Sequence, residues 1–269
     1  MQKTLLLINA LWLGFISSTS LAANSAFPGR QEFPDVPVLE IQQLYDDRDN
    51  VVIVDARSQY EYSTLRIKGS INLPVANKSF EQQLLALRSK STKPIVFYCN
   101  GRSCYKSYLA VKKGQAAKVS NLFAYDAGIF EWTMAHPQEA VLLGESPVNT
   151  EHLISGNKYK SHLLDPDSFS HKASEMGSAS MVLDVRDKYQ RAGIGFFPGK
   201  ERWVSLDNEP ALRKFLDKAK QKNQTVFIYD EVGKQVRWLQ YALEKHGIKN
   251  YYFMDKGAHA YYASISQWN

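Results

Sequence analysis

The sequence contains few cysteines and no metal-ligand motif, and each lack excludes a class of protein. Two cysteines among 269 residues, Cys99 and Cys104, are too few to build a disulfide scaffold. The six histidines show no ligand-like spacing, so we expect no metal and no other cofactor. In an oxidising compartment, however, two cysteines this close form either a disulfide or a protected reactive pair. The pair is therefore the first place where the sequence indicates chemistry.

Basic residues are also not gathered into one surface. The formal net charge is +6, and it falls to +5 without residues 1–22, which hold one lysine and no acidic residue. Lysine and arginine are spread along the chain, for example at 112–113, 213–214 and 218–222. Such spacing favours solvated helix faces over a nucleic-acid-binding patch, and we expect no nucleic-acid partner.

The N-terminus has the pattern of a signal peptide. Lys3 precedes an apolar run from Leu5 to Ile16, and small and polar residues then lead to Ala22. The run is about 12 residues long, too short for the roughly 20 that span a bilayer, and no later stretch is apolar enough. An uncleaved anchor is the alternative. We predict a cleaved signal at 1–22, an N-terminal extension at 23–35, and a periplasmic product without stable membrane insertion.

An internal repeat predicts the architecture. Three landmarks recur at offsets of 129, 131 and 129 residues, namely Asp55 and Asp184, Cys99 and Asp230, and Gly128 and Gly257. The segments between them also correspond. The first copy predicts strands at 51–55, 94–98 and 121–125 and a helix from about 103 to 113; the second predicts strands at 181–184, 225–229 and 251–254 and a helix at about 235–246.

Short apolar strands that alternate with helices are typical of βα units. Each copy should therefore be a small α/β domain with a mostly parallel sheet covered by helices on both faces. We place the first domain at 36–143 and the second at 161–269. A segment rich in Ser, Asn, Gly and Lys, 144–160, is the predicted linker.

The loop after the second strand of the first copy has the features of a reactive site. The strand brings Cys99 to the carboxyl edge of the sheet, where such sheets bind ligands. A helix that begins near Ser103 would point its free N–H groups and positive dipole end at the loop. With Arg102 and Lys106, these groups would favour a thiolate and hold an anion such as thiosulfate. Alternatively, the two cysteines only close a small disulfide or pack as core residues.

The first copy resembles a rhodanese domain over roughly residues 36–140. Four separated segments, in the family's order, carry the resemblance: Val54-Asp55-Ala56-Arg57, then Glu61-Tyr62 with Arg66 to Pro74, then Phe97-Tyr98-Cys99, and Tyr125 to Trp132. The resemblance implies two tandem rhodanese-like domains of the α/β class. Each is a small parallel sheet flanked by helices.

The resemblance also implies sulfur transfer through a cysteine persulfide. The Cys99 thiolate attacks the outer sulfur of a donor such as thiosulfate, and the sulfur then passes to a thiol or another thiophilic acceptor. The catalytic candidates are Cys99 and Cys104. The substrate-binding candidates are the other polar and glycine positions of the loop, Asn100, Gly101, Arg102, Ser103 and Lys106. Asp55 and Arg57 are interpreted as a structural pair that orders a loop.

The loop departs from the family pattern. Family loops commonly read Cys-x-x-Gly-x-Arg-Ser, whereas this one reads Cys-Asn-Gly-Arg-Ser-Cys-Tyr-Lys-Ser, about two residues longer and with its arginine earlier. Cys104 could resolve a persulfide on Cys99 by releasing sulfide and leaving a disulfide, or it could be the primary nucleophile. Cys99 is preferred because it directly follows the strand, as in the family.

The second copy is predicted to be inactive. It keeps the strand motif 183–186 and the Gly257 turn, but Asp230 stands at the nucleophile position, and a carboxylate cannot carry persulfide sulfur. Familiar two-domain rhodaneses have their active cysteine in the second domain, so the arrangement is inverted. The second domain is expected either to cover the active loop or to bind a protein partner.

Three hypotheses follow for function. A periplasmic sulfurtransferase, acting on a small sulfur-containing anion and a thiol acceptor, is preferred. A thiol–disulfide or persulfide-relay protein that uses Cys99 and Cys104 is the second, and a non-catalytic binding module is the third. A phosphatase of this fold would need an arginine six positions after the nucleophile to grip phosphate, and that position is Tyr105.

Overall fold

A computed structural model describes residues 26–191 and 195–266 of the chain. The predicted signal peptide, 1–22, lies outside the described residues. Among the helices that are described, none has the length and apolar character needed to cross a membrane.

The elements of the first domain are α1 (Pro28–Glu32), α2 (Ile41–Asp47), β1 (Val52–Asp55), α3 (Gln59–Thr64), β2 (Leu65–Ile67), β3 (Ile71–Asn72), α4 (Phe80–Lys90), β4 (Ile95–Tyr98), α5 (Lys106–Ala116), β5 (Leu122–Tyr125), α6 (Gly128–Ala135) and β6 (Ala140–Leu142). Four of the strands form a parallel sheet in the order β3-β1-β4-β5, and β2 and β6 form an antiparallel pair beside it.

The elements of the second domain are α7 (Gly156–Lys160), β7 (Leu163–Leu164), α8 (Pro166–Glu175), β8 (Ser180–Asp184), α9 (Lys188–Arg191), β9 (Glu201–Trp203), α10 (Glu209–Gln221), β10 (Thr225–Tyr229), α11 (Val236–Lys245), β11 (Tyr251–Met254) and α12 (Gly257–Ser266). Its five strands form a parallel sheet in the order β7-β11-β10-β8-β9. The predicted α/β class with two tandem parallel-sheet domains is thus confirmed.

Both central strands are buried on both faces, which explains their continuous apolar sequences. In β4, Val96 and Tyr98 pack into one core and Ile95 and Phe97 into another, because successive side chains of a strand point to opposite faces. In the second domain the residues of β10 divide between two cores in the same way. A parallel sheet covered on both faces needs such strands.

The helix after β4 does not begin where the sequence predicted. It was expected near Ser103, but α5 begins at Lys106, with Tyr105 as its N-terminal flanking residue. The amide of Cys104 donates to the carbonyl oxygen of Gly101 across 2.8 Å. This turn keeps the chain out of the helix for three more residues, so Arg102 and Ser103 lie in the loop.

The predicted linker is ordered and joins the domains closely. Its Val148 and Ile154 are buried in the same core as Trp132 of the first domain and Trp238 of the second. The amide of Ile154 also donates to the hydroxyl of Tyr241, 3.1 Å away. Helix α11, which carries both of these second-domain aromatics, is therefore packed into the first domain.

The N-terminal extension packs against the same face of the first domain as the reactive loop. The guanidinium of Arg30 forms two hydrogen bonds with the carboxylate of Asp126, of 2.8 and 3.1 Å. Phe33 stacks on Tyr108 and meets Tyr105 edge-on, with ring centroids 5.3 and 5.7 Å apart. This segment thereby buttresses the start of α5, the helix that follows the reactive loop.

Candidate functional site

The carboxyl end of β4 places Cys99 beneath the N-terminus of α6. The carbonyl oxygen of Cys99 accepts a 3.0 Å hydrogen bond from the amide of Ile129. Gly128 begins α6 with a positive φ of 76°, and a side chain there would collide with the backbone of Gly101. The sequence therefore needs glycine at 128, since only glycine permits both the backbone angle and the close approach.

The two cysteines form a disulfide within this loop. Cys99 and Cys104 have Cα atoms 6.3 Å apart, within the range that disulfides adopt. Cys99 is completely buried, whereas Cys104 is half-buried between two exposed neighbours, Ser103 and Tyr105. The sulfur of Cys99 lies 3.0 Å from the Cys104 carbonyl oxygen and 3.9 Å from the hydroxyl of Ser107, so both groups can hydrogen-bond it once the disulfide is reduced.

Asn100 is held by two side chains of the first domain. Its amide oxygen accepts from the guanidinium of Arg57 across 3.1 Å, and its amide nitrogen donates to the carboxylate of Glu61 across 2.9 Å. With both polar atoms engaged, the Asn100 side chain anchors the start of the loop.

Asp55 and Arg57 form a fully buried ion pair behind the loop. The guanidinium makes hydrogen bonds of 2.9 and 2.6 Å to the carboxylate and one of 2.6 Å to the carbonyl oxygen of Leu65. Burial opposes the charge on Arg57, but Asp55 outweighs it and raises the arginine pKa. The same guanidinium lies 4.9 Å from the ring of Trp238. Arg57 thus links the loop, through Asn100, to helix α11 of the second domain.

The two loop cations that were expected to face an anion are each paired with a carboxylate. Arg102 is exposed and bound to Glu131 through two hydrogen bonds, of 2.5 and 2.8 Å. The ammonium of Lys106 lies 3.2 Å from the carboxylate of Glu61. Burial opposes ionisation of Glu61, yet Lys106, Arg57 and Asn100 outweigh it and lower the Glu61 pKa. In this structure each of the two expected anion-binding cations therefore already has a carboxylate partner.

The backbone amides remain as the groups that can receive an anion. Within the described ranges, the amides of residues 100–103 donate to no protein acceptor. Gly101 and Asn100 are half-buried there, and Ser103 is exposed. Free backbone N–H groups in a loop at the end of a parallel strand are groups that can bind an anion.

The corresponding loop of the second domain is already filled by its own side chain. One carboxylate oxygen of Asp230 accepts from the amides of Val232 (3.0 Å) and Gly233, and the other accepts from the amides of Gln235 (2.5 Å) and Val236 (3.1 Å). Burial raises the pKa of Asp230, and the four amide donors offset this only in part. Four backbone amides of this loop are thus bound by a carboxylate of the same loop.

The remainder of the second site follows the first. The amide of Ala258 donates to the carbonyl oxygen of Asp230 across 2.8 Å, as Ile129 does to Cys99. Gly257 has a φ of 63°, and a side chain there would collide with the loop that Asp230 begins. Arg186 also pairs with Asp184 inside the core, across 2.8 Å.

Sequence reasoning missed three supporting residues. Glu61 was quoted only as part of a family motif, although its place beside Ser58, in a capping box, gave a local signal. Glu131 gave no local signal of its role, because its partner Arg102 is 29 residues away in the sequence. Trp238 belongs to the other domain, and only the packing of the domains brings it to Arg57.

Comparison with known proteins agrees with this architecture. The family model for the rhodanese-like domain matches residues 38–135 and 170–264, one segment in each domain. The chain belongs to the rhodanese-like domain family. The first segment contains the two cysteines and the second contains Asp230.

Individual relatives cover parts of the chain. It is 32% identical over 92 residues to the thiosulfate:glutathione sulfurtransferase of Saccharomyces cerevisiae, covering 31% of this chain and 65% of the yeast protein, just under two thirds of that relative's length. A thiosulfate sulfurtransferase structure from Pseudomonas aeruginosa is 21% identical, with 87% of this chain and 45% of that chain covered and a TM-score of 0.36. A rhodanese-like domain protein from Staphylococcus aureus is 22% identical, with coverages of 37% and 89% and a TM-score of 0.31.

Proposed function

We propose that this protein is a sulfurtransferase that carries sulfane sulfur as a persulfide on Cys99. The observation on which this rests most is the contrast between the two loops. Both have the same place in the fold, but only the first combines a cysteine with backbone amides that no protein group occupies. Family membership and the yeast relative's name point to the same class of reaction.

The first half-reaction begins from the reduced pair. The Cys99 thiolate attacks the outer sulfur of an anionic donor such as thiosulfate, a sulfur–sulfur bond forms, and the bond between the two donor sulfurs breaks with its electron pair leaving on sulfite. The amides of residues 100–103 stabilise the departing anion and then the persulfide. The Ser107 hydroxyl, 3.9 Å from the Cys99 sulfur, supplies a further hydrogen bond to the thiolate.

The second half-reaction returns the thiolate. A thiol or another thiophilic acceptor attacks the outer persulfide sulfur, and Cys99 leaves with the electron pair. In the disulfide form Cys99 cannot begin the cycle, so we expect activity only after reduction.

We further propose that the chain is exported to the periplasm through its N-terminal signal.

The test compares sulfite release from thiosulfate, with cyanide as acceptor, by the reduced wild type and by Cys99→Ser. We expect the variant to lose at least about a thousandfold in kcat/KM, as is usual when a covalent nucleophile is removed. Asp230→Asn is the matched control, because it alters the equivalent loop of the other domain and should keep activity within about twofold. Equal activity of wild type and Cys99→Ser would contradict the proposal.

A further inference from the structure

We propose that Cys104 is the resolving cysteine of this cycle and that the partner which restarts the cycle is a dithiol reductant that attacks the sulfur of Cys104. The inference rests on the proposed function, because it begins from a persulfide on Cys99. It adds a second route to the cycle: where no acceptor takes the outer sulfur, sulfide is the product, and the disulfide is reduced before the next turnover.

The two sulfurs can bond without any rearrangement of the loop. Cys99 is fixed by β4 and by the hydrogen bond from Ile129 to its carbonyl oxygen. Cys104 is fixed by the turn in which its amide donates to Gly101. With both backbones held in this way the disulfide is formed. A Cys104 thiolate therefore lies within reach of the inner sulfur of a Cys99 persulfide.

The resolving step balances without an outside oxidant. The Cys104 thiolate attacks the Cys99 sulfur of the protonated persulfide, the bond between that sulfur and the outer sulfur breaks, and hydrosulfide leaves with the electron pair and the persulfide proton. The sulfane sulfur is reduced to sulfide, and the two cysteines are oxidised to the disulfide that the structure contains. Attack within one loop is favoured because the nucleophile is already held beside its target.

The difference in exposure decides which sulfur an outside reductant can reach. Cys99 is completely buried, whereas Cys104 is half-buried and follows exposed Ser103. An incoming thiolate therefore attacks Cys104, forms a mixed disulfide with it, and displaces Cys99 as the thiolate that the next donor needs. The reductant's second thiol then attacks the mixed disulfide and displaces Cys104 as a thiolate. The reductant leaves as a disulfide, and its two thiols have supplied the two electrons.

The surface around Cys104 suits a neutral dithiol better than a strongly anionic monothiol. The two cations nearest to it in the sequence, Arg102 and Lys106, are each paired with a carboxylate, of Glu131 and Glu61 respectively. Tyr105, next to Cys104, is 38% exposed and apolar. The site thus offers little charge attraction to an anionic tripeptide such as glutathione.

A single-turnover experiment separates this inference from the proposed function. Reduced wild type and Cys104→Ser, freed of reductant, receive one equivalent of thiosulfate, and sulfite, sulfide and intact mass are measured. Sulfite release reports the first half-reaction. We expect both proteins to release it, the wild type to release one sulfide and lose about 2 Da, and Cys104→Ser to keep about 32 Da and release no sulfide.

Each other outcome overturns the inference. A wild type that keeps the added sulfur, or a Cys104→Ser that releases sulfide equally fast, shows that Cys104 does not resolve the persulfide, while the proposed function stands. Absence of sulfite from both proteins removes the proposed function for thiosulfate, and the inference with it. Thermal unfolding of the variant, followed by circular dichroism, checks that it is folded.

The site of reductive attack has its own test. The oxidised wild type is treated briefly with glutathione, quenched with acid and mapped by peptide mass spectrometry. We expect glutathione on Cys104, and an excess of at least about tenfold in the rate of full reduction by dithiothreitol over glutathione at equal thiol concentration. Glutathione on Cys99 instead would overturn the assignment.

Discussion

The loop after β4 and the loop after β10 share one place in the fold but differ in what their backbone amides bind. Each begins where a buried parallel strand ends, and each is contacted from above by a glycine-led helix, at Gly128 in one domain and Gly257 in the other. In the first, residues 100–103 keep their amides free, and in the second, Asp230 takes up four amides. Backbone amides are thus free in one loop and bound by a carboxylate in the other.

Under the proposed function, this difference means that the second domain keeps the fold without the reactive cysteine. A buried backbone N–H group without an acceptor is costly, and the Asp230 carboxylate supplies the acceptor for four amides of the second loop. In the first loop, the amides of residues 100–103 belong to half-buried or exposed residues and have no such partner among the described protein groups. The second domain then serves the first through packing, since its Trp238 lies over Arg57.

Substituting the two helix-leading glycines should give the largest effects and separate the domains. Gly128→Ala and Gly257→Ala should each lower the free energy of unfolding by about 3 kcal/mol, because a Cβ would strain the backbone and collide with the loop below. Only Gly128→Ala should also reduce sulfur transfer, by at least about tenfold. Urea unfolding and sulfite release measure the two effects.

Gly144→Ala is the matched control for this pair. Gly144 also has a positive φ, 89°, but nothing lies within 4 Å of the added Cβ. It should cost only the backbone strain, about 1 kcal/mol. If Gly257→Ala reduced sulfur transfer as much as Gly128→Ala, the independence of the two loops would be wrong.

Replacing the Asp230 carboxylate by a neutral amide should destabilise the second domain without affecting activity. Asp230→Asn should lower the free energy of unfolding by about 2 kcal/mol, since its NH₂ group would face amides that now donate to a carboxylate oxygen. The measurement is the urea midpoint, with sulfite release expected to stay within about twofold. A stability equal to wild type would show that the carboxylate does not hold this loop together.

Glu61→Gln should produce a smaller, pH-dependent loss in the first domain. At pH 7 we expect a loss of about 1–2 kcal/mol, because Lys106 and Asn100 lose an ionised partner. The folded-state pKa of Glu61 lies below its ordinary value of 4.5, so the ionised group stabilises the fold above that pH. This stabilisation is lost as the pH falls through the folded-state pKa.

The difference between wild type and Glu61→Gln should therefore be constant above about pH 5 and shrink at lower pH. Urea unfolding between pH 3 and 7 measures it. Glu131→Gln, which alters an exposed pair, is the control and should change stability by less than about 1 kcal/mol at every pH. A difference that grows as the pH falls would contradict the ion-pair arrangement.

The smallest effect is expected at Arg102. Because its guanidinium is exposed and bound to Glu131, Arg102→Ala should change stability by less than about 0.5 kcal/mol and the KM for thiosulfate by less than about threefold. Steady-state sulfite release checks this. A rise in KM of about tenfold or more would instead support the sequence-based prediction that Arg102 binds the donor.

The fold could be predicted from the sequence because its signals are local. Apolar runs such as 94–98 and 225–229 mark strands buried on both faces, and the repeat of Asp55, Cys99 and Gly128 marks two copies. The start of α5 could not be predicted, because the turn between Gly101 and Cys104 depends on a loop longer than the family's. The pairing of Arg102 with Glu131 could not be predicted either, since it depends on how α6 packs against the loop.

Under the proposed function, Cys99 and no other group takes up the sulfane sulfur. The most direct measurement loads reduced Cys104→Ser and Cys99→Ser with thiosulfate labelled in its outer sulfur and counts the label that stays with the denatured, unreduced chain. We expect about one labelled sulfur per chain on Cys104→Ser and almost none on Cys99→Ser. Label on Cys99→Ser at a comparable level would contradict it and move the nucleophile to Cys104.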